Sequence, residues 1–163
     1  MAIIGLDKLI VGKSGTFVIN PAYHIHTDFD RFEGNCRQLE RTSDPDMRCA
    51  LYHKAVELYK GHLLPRIEHE IWHMQLDMYY QTLYLTITKG YARYKLERKN
   101  YTDALREIKN AMQLAPGDSE LSMLAVLAAW YQGGRVLARR YYEAVKKYLD
   151  GDQIIQIRTQ LGF

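Results

Sequence analysis

The sequence predicts an all-α, right-handed stack of three to four helical pairs, preceded by a short β-hairpin. Three observations carry this. Residues 101–116 recur as residues 135–150 at an offset of 34, with Ala104 repeated by Ala138, Ile108 by Tyr142 and Ala111 by Val145; upstream, Leu96 is repeated by Trp130. A period of 34 is that of a helix–turn–helix unit, which buries its apolar face only by stacking on the next unit. From Thr27 onward, apolar residues keep helical spacing between breaks rich in Pro and Gly. The β-prone runs, by contrast, are confined to the first 20 residues.

Bulk composition bounds the rest. A chain of 163 residues with 47% hydrophobic and 25% charged residues can bury the core of one domain without staples. Cys36 and Cys49 have no CxxC partner, so they read as reduced thiols rather than a disulfide or metal framework. No apolar run reaches the roughly 20 residues that span a bilayer. The segment Met1–Val11 carries Asp7 and Lys8 and has no small-residue cleavage site, which is unlike a signal peptide. The expected location is the cytoplasm. Net charge is +3 but uneven: residues 80–149 hold 12 Lys or Arg against 6 Asp or Glu, and residues 1–79 hold 9 against 11. A basic half can attract phosphate or an acidic protein surface.

Taken in order, Leu9–Val11 and Thr16–Ile19 flank Gly12-Lys13-Ser14-Gly15, which predicts a hairpin with a four-residue turn. A lone hairpin is marginal, so it must pack on helices or belong to another domain. Thr27 and Asp30 have capping-box spacing and open a helix presenting Phe29, Phe32, Cys36 and Leu39. Asp44-Pro45 caps the next helix, which runs through Leu51, Ala55 and Leu58 to Gly61. A longer helix follows over about 67–99, its apolar face formed by Trp72, Leu76, Tyr79/Tyr80, Leu83, Ile87, Tyr91 and Tyr94. Asn100 with Asp103 caps a helix of Ala104, Leu105, Ile108, Ala111 and Met112, which Pro116-Gly117 ends. Residues 119–131 are apolar nearly all round, and Gly133-Gly134 turns the chain into a last long helix. An amphipathic piece, Ile154–Leu161, is positioned to cap the stack. Ala104 and Ala138 belong where paired helices cross closely, and Tyr101 and Tyr142 where the gaps are wider.

Two motifs invite chemistry. His69-Glu70-Ile71-Trp72-His73 matches H-E-x-x-H, in which histidines at i and i+4 of a helix hold zinc and the glutamate serves as base. No third ligand follows at metzincin spacing, and Glu97 lies about a full helix away. The plainer expectation makes Trp72 core, His69 and His73 solvent-facing, and Glu70 a surface acid. Gly12-Lys13-Ser14 resembles the end of a phosphate-binding loop, but six residues separate it from Gly5 where four are needed, and a strand-like run follows in place of a helix. His24 and His26 are too few for a metal site. No catalytic triad can be placed, so neither enzyme chemistry, a metal nor a cofactor is expected.

Four stretches together resemble a known module. Asp28-Phe29-Asp30-Arg31-Phe32 resembles the "D-x-D-x-F" start of the bacterial transcriptional activator domain. Tyr59-Lys60-Gly61-His62-Leu63-Leu64 is similar to its "W/Y-x-G-x-L-L" link. Lys99-Asn100-Tyr101-Thr102-Asp103-Ala104-Leu105 with Leu114-Ala115-Pro116 resembles its "G-x-Y-x-x-A-L … L-x-P" repeat, Asn100 lying near the usual glycine. Gly134–Ala138 with Tyr141-Tyr142 resembles the second copy. The resemblance covers about residues 26–149 and implies a tetratricopeptide-like module found behind a winged-helix DNA-binding domain in antibiotic-regulatory-type activators. On that reading residues 1–25 are the hairpin end of the preceding winged-helix domain and residues 26–163 the module. The segment His69–Tyr80 departs from the family in its His, Met and Tyr content.

The resemblance implies a non-catalytic part of a transcription activator that self-associates, possible homodimer included, or contacts the transcription machinery. DNA would be reached only through the winged helix, and no membrane is involved. Inner helices of such a stack line a groove. Projecting the repeat places Lys89, Arg93 and Glu97 in it from one helix and Met123, Leu127 and Tyr131 from the next. A basic flank over an apolar floor suits an acidic amphipathic segment. The alternatives are a helical-repeat adaptor unrelated to transcription and a zinc hydrolase through His69, Glu70 and His73.

Overall fold

The structure, a computed structural model, describes residues 9–13, 15–64 and 70–162. Among them, two strands precede six α-helices. β1 (Ile10–Lys13) pairs antiparallel with β2 (Thr16–Ile19), Ile10 opposite Ile19 and Lys13 opposite Thr16. Gly12 and Lys13 stay in the ladder, so the turn is shorter than the four residues expected; Gly15 takes a φ of +80° there. β2 is exposed along its length, with Phe17 86% exposed.

α1 (Asp28–Arg41) opens on the predicted capping box: the Asp30 N–H donates to Thr27 Oγ1 at 3.1 Å and the Thr27 N–H to Asp30 Oδ2 at 2.8 Å. It buries Phe32, Cys36 and Leu39. α2 (Pro45–Leu58) begins under the Asp44 cap and ends at Leu58, short of Gly61, which turns the chain at φ +113°. α3 (Ile71–Glu97) and α4 (Tyr101–Leu114) form the next pair. α5 (Ser119–Val145) is broken at Gly134 (φ 66°, ψ −159°), so it is two helices end to end, as the Gly-Gly pair predicts. A 3-10 turn, Lys146–Tyr148, leads to α6 (Gly151–Leu161), which opens on an Asp150/Gln153 capping box.

The architecture is a tetratricopeptide-like stack of helical pairs. The repeat is visible in its burial: Ala104, Ile108 and Ala111 of α4 and Ala138, Tyr142 and Val145 of α5 are all buried. One core runs from Phe32 and Tyr52 through Tyr84 and Ile108 to Leu121; a second gathers Val126, Ala138, Tyr142 and Val145 around Ile157 and Leu161 of α6, which closes the stack as predicted. Tyrosines fill the wide gaps: Tyr59 stacks on Tyr84 at 4.2 Å and Tyr52 on Tyr91 at 5.4 Å.

The expected apolar face of α3 holds only in part. Tyr80, Ile87 and Tyr91 are buried, but Trp72 is 51% exposed and Leu76 and Tyr79 are also open, together with Ile71, Met74 and Met78. Length explains this. At 1.5 Å per residue, 27 residues extend about 40 Å, whereas the 14-residue α2 and α4 reach about 21 Å. Among the described residues, the first turns of α3 have too little neighbouring helix to cover them.

Candidate functional site

An apolar cleft lies between α3 and α5, with the start of α4 at its end. Its position follows from the α3–α4 corner. Lys99 takes φ +61°, the Asn100 N–H donates to the Lys95 carbonyl at 2.9 Å and the Lys99 N–H to that of Leu96 at 3.0 Å. This is the hydrogen-bond pattern of a left-handed helix stop. Asn100 then caps α4, and Asp103 ties the corner through Lys95 (3.2 Å), Asn100 Nδ2 (2.8 Å) and Arg106 (2.8 Å). Tyr101 is thereby presented at the mouth of the cleft, stacked on Tyr131 with ring centres 5.1 Å apart.

The cleft encloses about 550 Å³. Arg93, Glu97, Met123, Leu127 and Tyr131 line it, joined by Leu96, Lys99, Tyr101, Glu120 and Leu124. Met123 and Leu127 are half-buried: one side of each packs on the second core and the other forms the floor. Lys89 lies outside the lining. Its Nζ is held by Asp118 at 2.6 Å and Glu120 at 3.3 Å, and Glu120 also binds Arg93. Burial opposes the charge on Lys89, but the two carboxylates outweigh it and raise its pKa. The basic flank expected of this groove is therefore already neutralised from within. Asp118 caps α5 and Glu120 sits in its first turn, where both also complement the helix dipole. Their pairing with α3 is set by the stacking.

The family model of the bacterial transcriptional activator domain matches residues 27–154. That is well over half of the chain. The chain belongs to the bacterial transcriptional activator domain family. Among curated proteins, none matches it. The family is regulatory and non-catalytic. The glycine of the family's "G-x-Y" pattern falls on Lys99, the residue that adopts the left-handed conformation here, rather than on Asn100.

In this activator domain only Glu70 to His73 of the H-E-x-x-H segment fall among the described residues. α3 begins at Ile71, so Glu70 is its N-cap residue, and His69 lies outside the described residues. His73 is buried, not solvent-facing: its Nε2–H donates to the Leu63 carbonyl, and Nδ1 is enclosed without a partner among the described residues. Trp72, expected in the core, is open to solvent. His73 is a structural clamp. Asp77 completes it, accepting the Leu63 N–H at 2.7 Å and His62 Nδ1–H at 2.7 Å, so both backbone polar groups of Leu63 are held by α3. His24 and His26 are exposed. Burial pushes the Cys36 thiol up to about 12, far from a reactive thiolate. No described helix is long and apolar enough to cross a membrane.

Proposed function

We propose that this chain is the non-catalytic, protein-contacting module of a bacterial transcription activator, working in the cytoplasm, and that the α3–α5 cleft receives its partner. The observation that carries the reading is the cleft itself: an apolar floor of Met123 and Leu127 beside the stacked Tyr101–Tyr131 pair. Half-buried Met and Tyr side chains are typical anchors for an amphipathic helix laid into a groove. The partner is a second copy of the chain or the transcription machinery. DNA is reached through a winged-helix domain, to which the hairpin of residues 1–25 belongs.

Because Lys89 and Arg93 already hold Asp118 and Glu120, the partner's grip is chiefly apolar, and an acidic segment would have to compete with these internal carboxylates. Charge reversal at Lys89 is therefore no neutral probe, since it would set a third acid beside two others. The suitable variant is Tyr101→Ala with Tyr131→Ala, which strips the stacked pair while leaving both cores intact. Affinity for RNA polymerase holoenzyme and self-association by sedimentation should be measured with wild type and variant. We expect a loss of about tenfold or more in one of them, with the circular dichroism spectrum unchanged. Equal values in both assays would remove the cleft from the account.

A further inference from the structure

Residues 80–149 carry 12 Lys or Arg, and five of these are engaged in ion pairs. Lys89, Arg93, Lys95, Arg106 and Lys146 each hold a carboxylate. In the acidic N-terminal half, Arg31, Lys54 and Lys60 have no ion pair or side-chain hydrogen bond among the described residues, and all three line one cleft of about 760 Å³ between α1 and α2. Helical spacing brings them together: positions 31, 34, 35 and 38 share one face of α1, and 54, 57 and 58 one face of α2. Asn35 and Gln38 add two carboxamides to the wall. Glu57, the one acid there, faces His53 at 3.4 Å.

A second observation points the same way. Gly34 lies inside α1 and lines this cleft, although glycine weakens a helix interior. Packing does not require it: a Cβ at Gly34 would meet nothing within 4 Å. The missing methyl deepens the cleft and lets a ligand approach the helix backbone.

We propose that the α1–α2 cleft binds a phosphorylated small molecule of nucleotide size. Arg31 offers a guanidinium fork, Lys54 and Lys60 supply point charges to phosphate oxygens, and Asn35 and Gln38 hydrogen-bond the organic part. The volume lies within the range of small-ligand sites. An extended polyanion fits less well, because the same two helices also carry Asp28, Asp30, Glu33, Glu40 and Asp46.

The test is calorimetric titration of the full chain with ADP and with inorganic pyrophosphate at low salt. Wild type should bind both, and Lys54→Ala with Lys60→Ala should weaken binding by about tenfold or more. Gly34→Ala should separate two effects, raising the thermal midpoint by about 2–4 °C while weakening the ligand. Arg106→Ala, remote from the cleft and already paired, should leave affinity unchanged. Failure of both ligands to bind at about 1 mM, or equal affinity in the double-lysine variant, overturns the proposal. So does duplex DNA captured through the same lysines that ADP cannot displace, since the site would then serve a nucleic acid.

Discussion

Gly90 marks a close approach of α2 and α3. A Cβ there would stand 2.8 Å from Tyr52 Oη and 3.2 Å from the ring. The ring cannot yield cheaply, because Tyr52 stacks on Tyr91 and its hydroxyl accepts from Arg48, which is itself tied to the carbonyls of Leu39 and Thr42. Overpacking costs about 1–3 kcal/mol, against a helix-propensity gain of up to about 1 kcal/mol. Gly90→Ala should therefore lower the thermal midpoint, the opposite of Gly34→Ala, and a differential scan of the two variants checks the sign of each. Lys99 is the converse case, a bulky residue held at φ +61°. Lys99→Gly should gain up to about 1 kcal/mol by relieving left-handed strain, less the extra freedom of glycine in the unfolded chain; a midpoint no higher than wild type would contradict this. The family pattern placed a glycine at this corner, but nothing in the sequence alone indicates which neighbour adopts the unusual backbone.

At the level of elements, most helix starts were legible because their signals are local. Thr27/Asp30, Asp44/Pro45 and Asn100/Asp103 each place a cap within three residues of the helix they open. The Gly134 break was legible for the same reason. Burial along α3 was not, since helical spacing fixes a face and cannot say how far a neighbour extends along it. The clamp on the α2–α3 link also needed the fold, as Asp77 and His73 reach back to Leu63 across a gap of 10 residues or more. It predicts a pH dependence. Burial opposes ionisation of Asp77, but the His62 hydrogen bond and the Leu63 N–H outweigh it and hold the carboxyl below its ordinary 3.8. A depressed folded pKa contributes stability that is complete above the unfolded value and is lost as pH falls from about 4 through the folded value. Thermal melts of Asp77→Asn should thus show a lower midpoint than wild type at pH 7 and a shrinking difference as the pH drops below about 4. A constant difference would show that Asp77 acts through shape alone.

Across the whole molecule, the stack has two cores joined along α5, and α6 seals the second with Ile157 and Leu161. Ile157 is fully buried, so Ile157→Ala should cost about 2–5 kcal/mol. If α6 were an ornament, urea unfolding would be indifferent to it. The candidate cleft was partly legible at this scale: the 34-residue repeat put Arg93, Glu97, Met123, Leu127 and Tyr131 on facing helices, and they do share one cavity. It could not reveal that Asp118 and Glu120 neutralise the cations there, because that pairing depends on how α5 starts beside α3. The most direct test of the cleft is to install a photo-crosslinking residue at position 131, and separately at Ile155, which is exposed on α6, and irradiate each with RNA polymerase holoenzyme and with the chain alone. Adducts from position 131 and none from position 155 are the predicted result. Adducts from 155 with none from 131 would contradict it, placing the contact surface elsewhere on the stack.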